Sequence, residues 1–98
     1  MPYRIVFLEI AEKELLKLDK ELQHNISTKI IKKLAVNPKQ GKHLFKDFWE
    51  IKAQNYRLYY SIKDYAIVIE KIEYEGEVTI HKIGTKDSQK RDVKSISR

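Results

Sequence analysis

From Ala11 to Leu34 the apolar residues keep a helical period, and the breaks in that period lay out the rest of the chain. Ala11, Leu15, Leu18 and Leu22 recur at the spacing of one helical face. Asp19 interrupts with a good N-cap side chain, so a second helix is predicted from Lys20, with Leu22, Ile26, Ile30 and Leu34 turned inward. Asn37-Pro38 closes it, because a residue before proline is pushed out of the helical region. A helical hairpin with a lysine-rich outer face follows, and it needs a sheet to cover its apolar side.

The flanking segments supply that sheet. Tyr3 to Phe7 is short, β-branched and aromatic, which suits an opening strand. Residues Lys39 to Lys46 read as a basic loop, Phe48 to Ala53 as a strand, Gln54-Asn55 as a turn and Tyr56 to Ile62 as a second strand. Lys63-Asp64 turns the chain into Tyr65 to Ile69, the most apolar run, expected at the sheet centre with both faces covered. Glu75-Gly76 predicts a tight turn in which glycine supplies a positive φ, and Val78 to Ile83 returns as the last strand. Val93 and Ile96 have the spacing of one short helical face. The expectation is one compact α+β domain over residues 1–98, ordered β-α-α-β-β-β-β. It has an antiparallel sheet, the helical hairpin on one face and a short C-terminal helix.

Charge and composition narrow the chemistry. Twenty Lys+Arg stand against 14 Asp+Glu, a net charge of +6, which favours polyanionic partners. The chain has no cysteine, so thiolate metal sites and disulfides are excluded, and a reducing cytoplasmic location is expected. No apolar run approaches the ~18 residues of a membrane span, so no membrane partner is expected. The N-terminus lacks a signal-peptide pattern. His24, His43 and His81 lack metal-ligand spacing, and the three glycines form no phosphate-cradling loop. Neither a metal nor a cofactor is therefore expected.

The strand pair WEIKAQNYRLYYSIKD carries the most suggestive chemistry. Strand alternation puts Tyr56, Leu58, Tyr60 and Ile62 on one face and Arg57, Tyr59, Ser61 and Lys63 on the other. If the first set packs on the helices, one register gathers Glu50, Lys52, Arg57 and Tyr59 on the open face. His81 or Lys82, and Lys86 just past the last strand, could complete a basic concavity. From the pattern alone, the plainer reading of each cation is a solvated side chain or half of a surface ion pair. For the tyrosines it is strand packing.

These residues resemble the RelE/ParE toxin superfamily of type II toxin–antitoxin modules, over nearly the whole chain. Phe48-Trp49-Glu50-Ile51-Lys52 and Asn55-Tyr56-Arg57-Leu58-Tyr59-Tyr60 are similar to its strand hairpin. Gly84-Thr85-Lys86-Asp87-Ser88-Gln89-Lys90 is similar to the tail of its phage-related, HigB-like branch. The resemblance implies a RelE-like fold, a cognate antitoxin in a possible hetero-oligomer, and one of two activities. The first is metal-independent, ribosome-dependent cleavage of mRNA, and the second is ParE-like inhibition of DNA gyrase. An inert toxin-fold binding protein is a third outcome. Under cleavage, the resemblance implies Arg57, Lys52, Lys86 and Tyr59 as catalytic residues. It assigns Lys42, His43, Lys46, His81, Lys82, Lys90 and Arg91 to RNA binding. Where many relatives carry a tail tyrosine or histidine this chain has neither, so either Tyr59, His81 or His43 supplies that proton-transfer group or activity is low or absent.

Overall fold

The computed structural model describes residues 2–85 together with Val93, Lys94 and Ile96. Strand β1 (Arg4–Phe7) leads into helix α1 (Glu9–Leu16). Helix α2 (Lys20–Asn25), a π-helical turn (Ile26–Ile30) and helix α3 (Ile31–Val36) then run on head to tail. The corner between α1 and α2 is fixed by side chains. Asp19 accepts the Leu22 amide at 2.8 Å, and the Gln23 amide group donates to the carbonyls of Leu18 and Leu16. In the widened π turn the Thr28 hydroxyl donates to the His24 carbonyl at 2.7 Å, competing with the backbone for it.

Helical periodicity was a sound guide to burial. Leu22, Ile26, Ile30 and Leu34 are all buried, and they meet Leu58, Tyr60, Ile62, Val78, Ile80 and Ile83 of the sheet in one core. Each such side chain contributes about 1.5–3 kcal/mol of burial free energy. As expected, α3 stops at Val36, ahead of Asn37-Pro38.

Five strands form the main sheet in the order β1-β7-β4-β3-β2, with β2 spanning Lys42–Phe45, β3 Phe48–Ala53, β4 Tyr56–Lys63 and β7 Glu77–Thr85. Three features depart from the sequence reading. The sheet is mixed, because β1 lies parallel to β7 while the remaining pairs are antiparallel. The supposed loop at 39–46 contains a 3-10 turn (Pro38–Gln40) and edge strand β2, whose exposed Lys42 and His43 made it read as a loop. The apolar run 65–69 is not central. Its strand β5 (Ile67–Ile69) pairs only with β6 (Ile72–Tyr74), as a separate hairpin that leaves Tyr65, Val68 and Ile72 exposed.

The centre belongs to β4 instead, where Leu58 to Ile62 are buried without a break. Both edges of β4 are hydrogen-bonded and both its faces are covered, which apolar content alone could not reveal. The β5–β6 turn takes positive φ at Glu70 and Lys71, the turn geometry usually given to Asn-Gly, so turn chemistry did not announce it. No glycine has a positive φ. Gly76 is required for close approach: a Cβ there would strike the Lys63 carbonyl and the Tyr3 ring.

The Tyr3 hydroxyl donates to Asp64, whose carboxylate also pairs with Lys39 at 3.0 Å. This ties the N-terminal strand, the turn after β4 and the 3-10 turn together. The Tyr3 bond, then Lys39, hold the Asp64 carboxyl below its usual range, and the same hydrogen bond, then burial, pushes the Tyr3 phenol up to about 12. The stabilisation from Asp64 is therefore present above the ordinary carboxylate pKa and is lost as pH falls through the lowered value. The part from Tyr3 is complete below pH 10 and is lost as pH rises through about 12. Tyr3→Phe is expected to cost about 2 kcal/mol in urea unfolding at pH 7 and to flatten the acid limb of the stability curve. An unchanged acid limb would show that the triad does not couple to folding.

Candidate phosphate-binding groove

The β3–β4 register sets the site. Lys52 lies opposite Arg57 and Glu50 opposite Tyr59, which is the one register that gathers them. Gln54, at positive φ, makes the turn that brings Lys52 and Arg57 to the end of the hairpin. Arg57 is half-buried, and its Nη1 donates to the Tyr56 carbonyl at 3.3 Å; Lys52 is exposed. An open groove of about 650 Å³ receives both residues. Ile30, Lys33 and the segment Gln40-Gly41-Lys42 contribute to it from the helix and loop. Glu50 and Ile51 contribute from β3. Lys33, Lys42, Lys52 and Arg57 thus put four basic residues, beside the acidic Glu50, around one concavity.

Lys33 belongs to the lysine-rich outer face of the helices. The signal that could have singled it out is its place three residues after buried Ile30, on the adjoining helical face, in the last turn before Asn37-Pro38. Gln40 and Gly41 were likewise passed over as loop.

A buried tyrosine holds the loop wall. The Tyr60 hydroxyl donates to the Pro38 carbonyl at 2.6 Å and accepts the Gly41 amide. Burial pushes this phenol up to about 12, although the Gly41 bond acts in the opposite direction. A Cβ at Gly41 would collide with the Tyr60 hydroxyl and the Glu50 carbonyl. The close approach thus requires glycine at position 41.

The other expected site residues are dispersed. Tyr59 has no exposed surface and Glu50 only 5 %, so the face expected to be open is closed over both. As placed here the Tyr59 hydroxyl does not reach a substrate in the groove. His81 shares a hydrogen bond of 2.8 Å with Ser61 and packs against Phe48. It sits beside Ser61, four residues along β4 from Arg57, about 13 Å away. Burial, more than any charge, lowers the His81 pKa, so the ring is neutral at pH 7. A register shift in β7 opposite Tyr59 and Tyr60 accounts for this layout: it resets the alternation, so Ile80 and Ile83 both face the core.

Lys82 pairs with Glu14 at 3.4 Å, and the other oxygen of that carboxylate accepts the Ile83 amide at the free edge of β7, beyond β1. Lys82 is therefore directed to α1, not to the groove. His43 donates to the Lys46 carbonyl at 2.7 Å and lies edge-on to Trp49. Both His43 and Lys46 line a smaller recess of about 270 Å³ with Asp47 and Asp64, separate from Arg57. Lys86, Lys90 and Arg91 lie outside the described residues. Among the described residues no cluster of three His, Cys, Asp or Glu could hold a metal, and no helix is long and apolar enough to cross a membrane.

Comparison with known proteins places this geometry. No curated protein sequence matches. Among solved structures, the toxin–antitoxin complex RelBE of Escherichia coli is 26% identical, with a TM-score of 0.62, covering 85% of this chain and 95% of that one. A RelBE toxin–antitoxin complex of Mycobacterium tuberculosis is 22% identical, with a TM-score of 0.70, covering 88% of this chain and 100% of that one. A double-arginine variant of E. coli RelE in the free state is 23% identical, with a TM-score of 0.71, covering 100% and 98%. Residues 5–85 match the family described as the ParE toxin of the type II toxin–antitoxin system parDE. The chain therefore belongs to the ParE toxin family, within the RelE/ParE superfamily of toxin–antitoxin toxins.

Proposed function

We infer that this toxin cleaves mRNA, on the ribosome and without a metal, and so arrests translation. The observation that carries the reading is the convergence of Lys33, Lys42, Lys52 and Arg57 on one open groove. A phosphodiester cut by its own 2′-hydroxyl needs three things: a base for that hydroxyl, an acid for the departing 5′-oxygen, and cations for the pentacovalent phosphate. Arg57 fits the last role, since its planar fork matches two phosphate oxygens. Lys52 lies opposite it in register. Lys86 follows directly on the end of β7, whose Gly84 pairs with Arg57. These two lysines are assigned proton transfer and phosphate binding. One lysine in its neutral form takes the 2′-hydroxyl proton as that oxygen bonds to phosphorus, the bond from phosphorus to the 5′-oxygen breaks, and that oxygen leaves with a proton from the other, protonated lysine. The products are a 2′,3′-cyclic phosphate and a 5′-hydroxyl.

A cognate antitoxin is part of this proposal. An acidic or amphipathic segment would neutralise the groove and cover apolar surface such as Leu16 and Val36. The related RelBE structures are toxin–antitoxin complexes. Co-expression with such a partner is expected to restore growth and to yield a stable hetero-oligomer on size exclusion.

ParE-like inhibition of gyrase is the second reading. It is favoured by the family match and by a groove without histidine or tyrosine among its described lining residues. Inducible expression followed by primer extension separates the two. Cleavage predicts growth arrest with new mRNA 5′ ends. Arrest with broken DNA and intact mRNA would select gyrase inhibition, and no arrest would select an inert fold.

A further inference from the structure

Four basic residues and one acidic residue, Glu50, line the groove, a formal excess of +3 (4 − 1) that is still more than one reacting phosphate needs. A pentacovalent phosphorane carries at most two negative charges, which Arg57 and Lys52 can already balance. Lys33 and Lys42 come from different segments, α3 and β2, yet line the same groove. About 650 Å³ also falls within the range of pockets that enclose drug-sized ligands, well beyond one phosphate. The wall carrying Lys42 is fixed in place: Tyr60 binds Pro38 and Gly41 through one buried hydroxyl, and position 41 has no room for a side chain.

We propose that Lys33 and Lys42 form a second phosphate subsite, holding a phosphate that neighbours the scissile one on the same RNA strand, with Tyr60 as the positioning residue for its wall. The proposal rests on the cleavage reading and specifies how the substrate is held. Ile30 and Ile51, beside the cations, give the groove apolar surface for a base or ribose between the two phosphates. The wall is held by hydrogen bonds within the protein, so this subsite is formed before RNA arrives.

The test uses the full chain and a short single-stranded RNA bearing 2′-O-methyl groups, which cannot be cleaved. Its affinity is followed by fluorescence anisotropy across a salt series. Lys33→Met and Lys42→Met are each expected to weaken binding about three- to tenfold. Each should also reduce the salt slope by about 0.7, the loss of one phosphate contact to a single strand. Tyr60→Phe keeps the ring in the core but loses the hydroxyl. It is expected to speed hydrogen exchange at the Gly41 amide and to weaken binding non-additively with Lys42→Met. Wild-type affinity and slope in both lysine variants, with Arg57→Ala weakened, would overturn the second subsite alone. If Arg57→Ala also binds like the wild type, or the wild type binds this RNA neither free nor presented on the ribosome, the cleavage reading fails with it. Unchanged exchange at Gly41 in Tyr60→Phe would remove Tyr60 from the positioning role.

Discussion

Replacing Arg57 with alanine is expected to lower mRNA cleavage by about 100- to 1,000-fold, the usual cost of removing one preorganised group that stabilises transition-state charge. The fold should survive. Arg57 lies in the groove lining, its guanidinium donates to the neighbouring Tyr56 carbonyl, and its strand pairing is made by backbone. Arg57→Lys is the informative companion. It restores the charge but not the planar two-oxygen contact, so it should recover only a small part of the rate. In cells, induction of Arg57→Ala should permit growth where the wild type arrests it. Equal cleavage by Arg57→Ala and wild type, at matched thermal stability, would remove Arg57 from the chemistry.

The largest stability effect is expected at Leu58. It is fully buried on β4, in the core shared with Leu22, Ile26, Ile30 and Leu34. Leu58→Ala removes three carbons where both sheet neighbours and the helices limit collapse, so a loss of about 3–5 kcal/mol is predicted. Small domains hold only about 5–15 kcal/mol in total, so this variant should lose much of its unfolding free energy in urea. The conservative Leu58→Met should lose less than about 1.5 kcal/mol. A Leu58→Ala cost below 1 kcal/mol would mean that β4 is not the centre of the core. Because Leu58 adjoins Arg57 in sequence but faces the opposite side, the two variants separate folding from chemistry along one strand.

What the sequence made legible followed from short-range physics. The inward residues of the helices, the Asp19 cap, the stop at Asn37-Pro38 and the Lys52–Arg57 register all depend on residues a few positions apart. What it concealed depended on long-range packing. Ile67-Val68-Ile69 looks like a central strand, but centrality is decided by which strands pair on both edges, and β4 holds that place. Tyr59 looked outward by alternation and is outward-facing, yet it is covered, and alternation says nothing about what lies over a face. The register shift in β7 changed the fate of His81 and Lys82, and no residue nearby signals it. Lys33 is part of the groove because four segments converge there, which its helical spacing alone could only suggest.

Cleavage of RNA in this groove by the strand's own 2′-hydroxyl is tested most directly by the chemistry of the cut ends. Ribosome-bound mRNA would be recovered after brief induction of the wild type and of Arg57→Ala, and its newly formed ends mapped and chemically typed. New 5′-hydroxyl ends paired with 2′,3′-cyclic phosphates are expected in the wild type, with near-complete loss of both in Arg57→Ala. Intact mRNA in arrested wild-type cells, accompanied by DNA breaks, would contradict this cleavage.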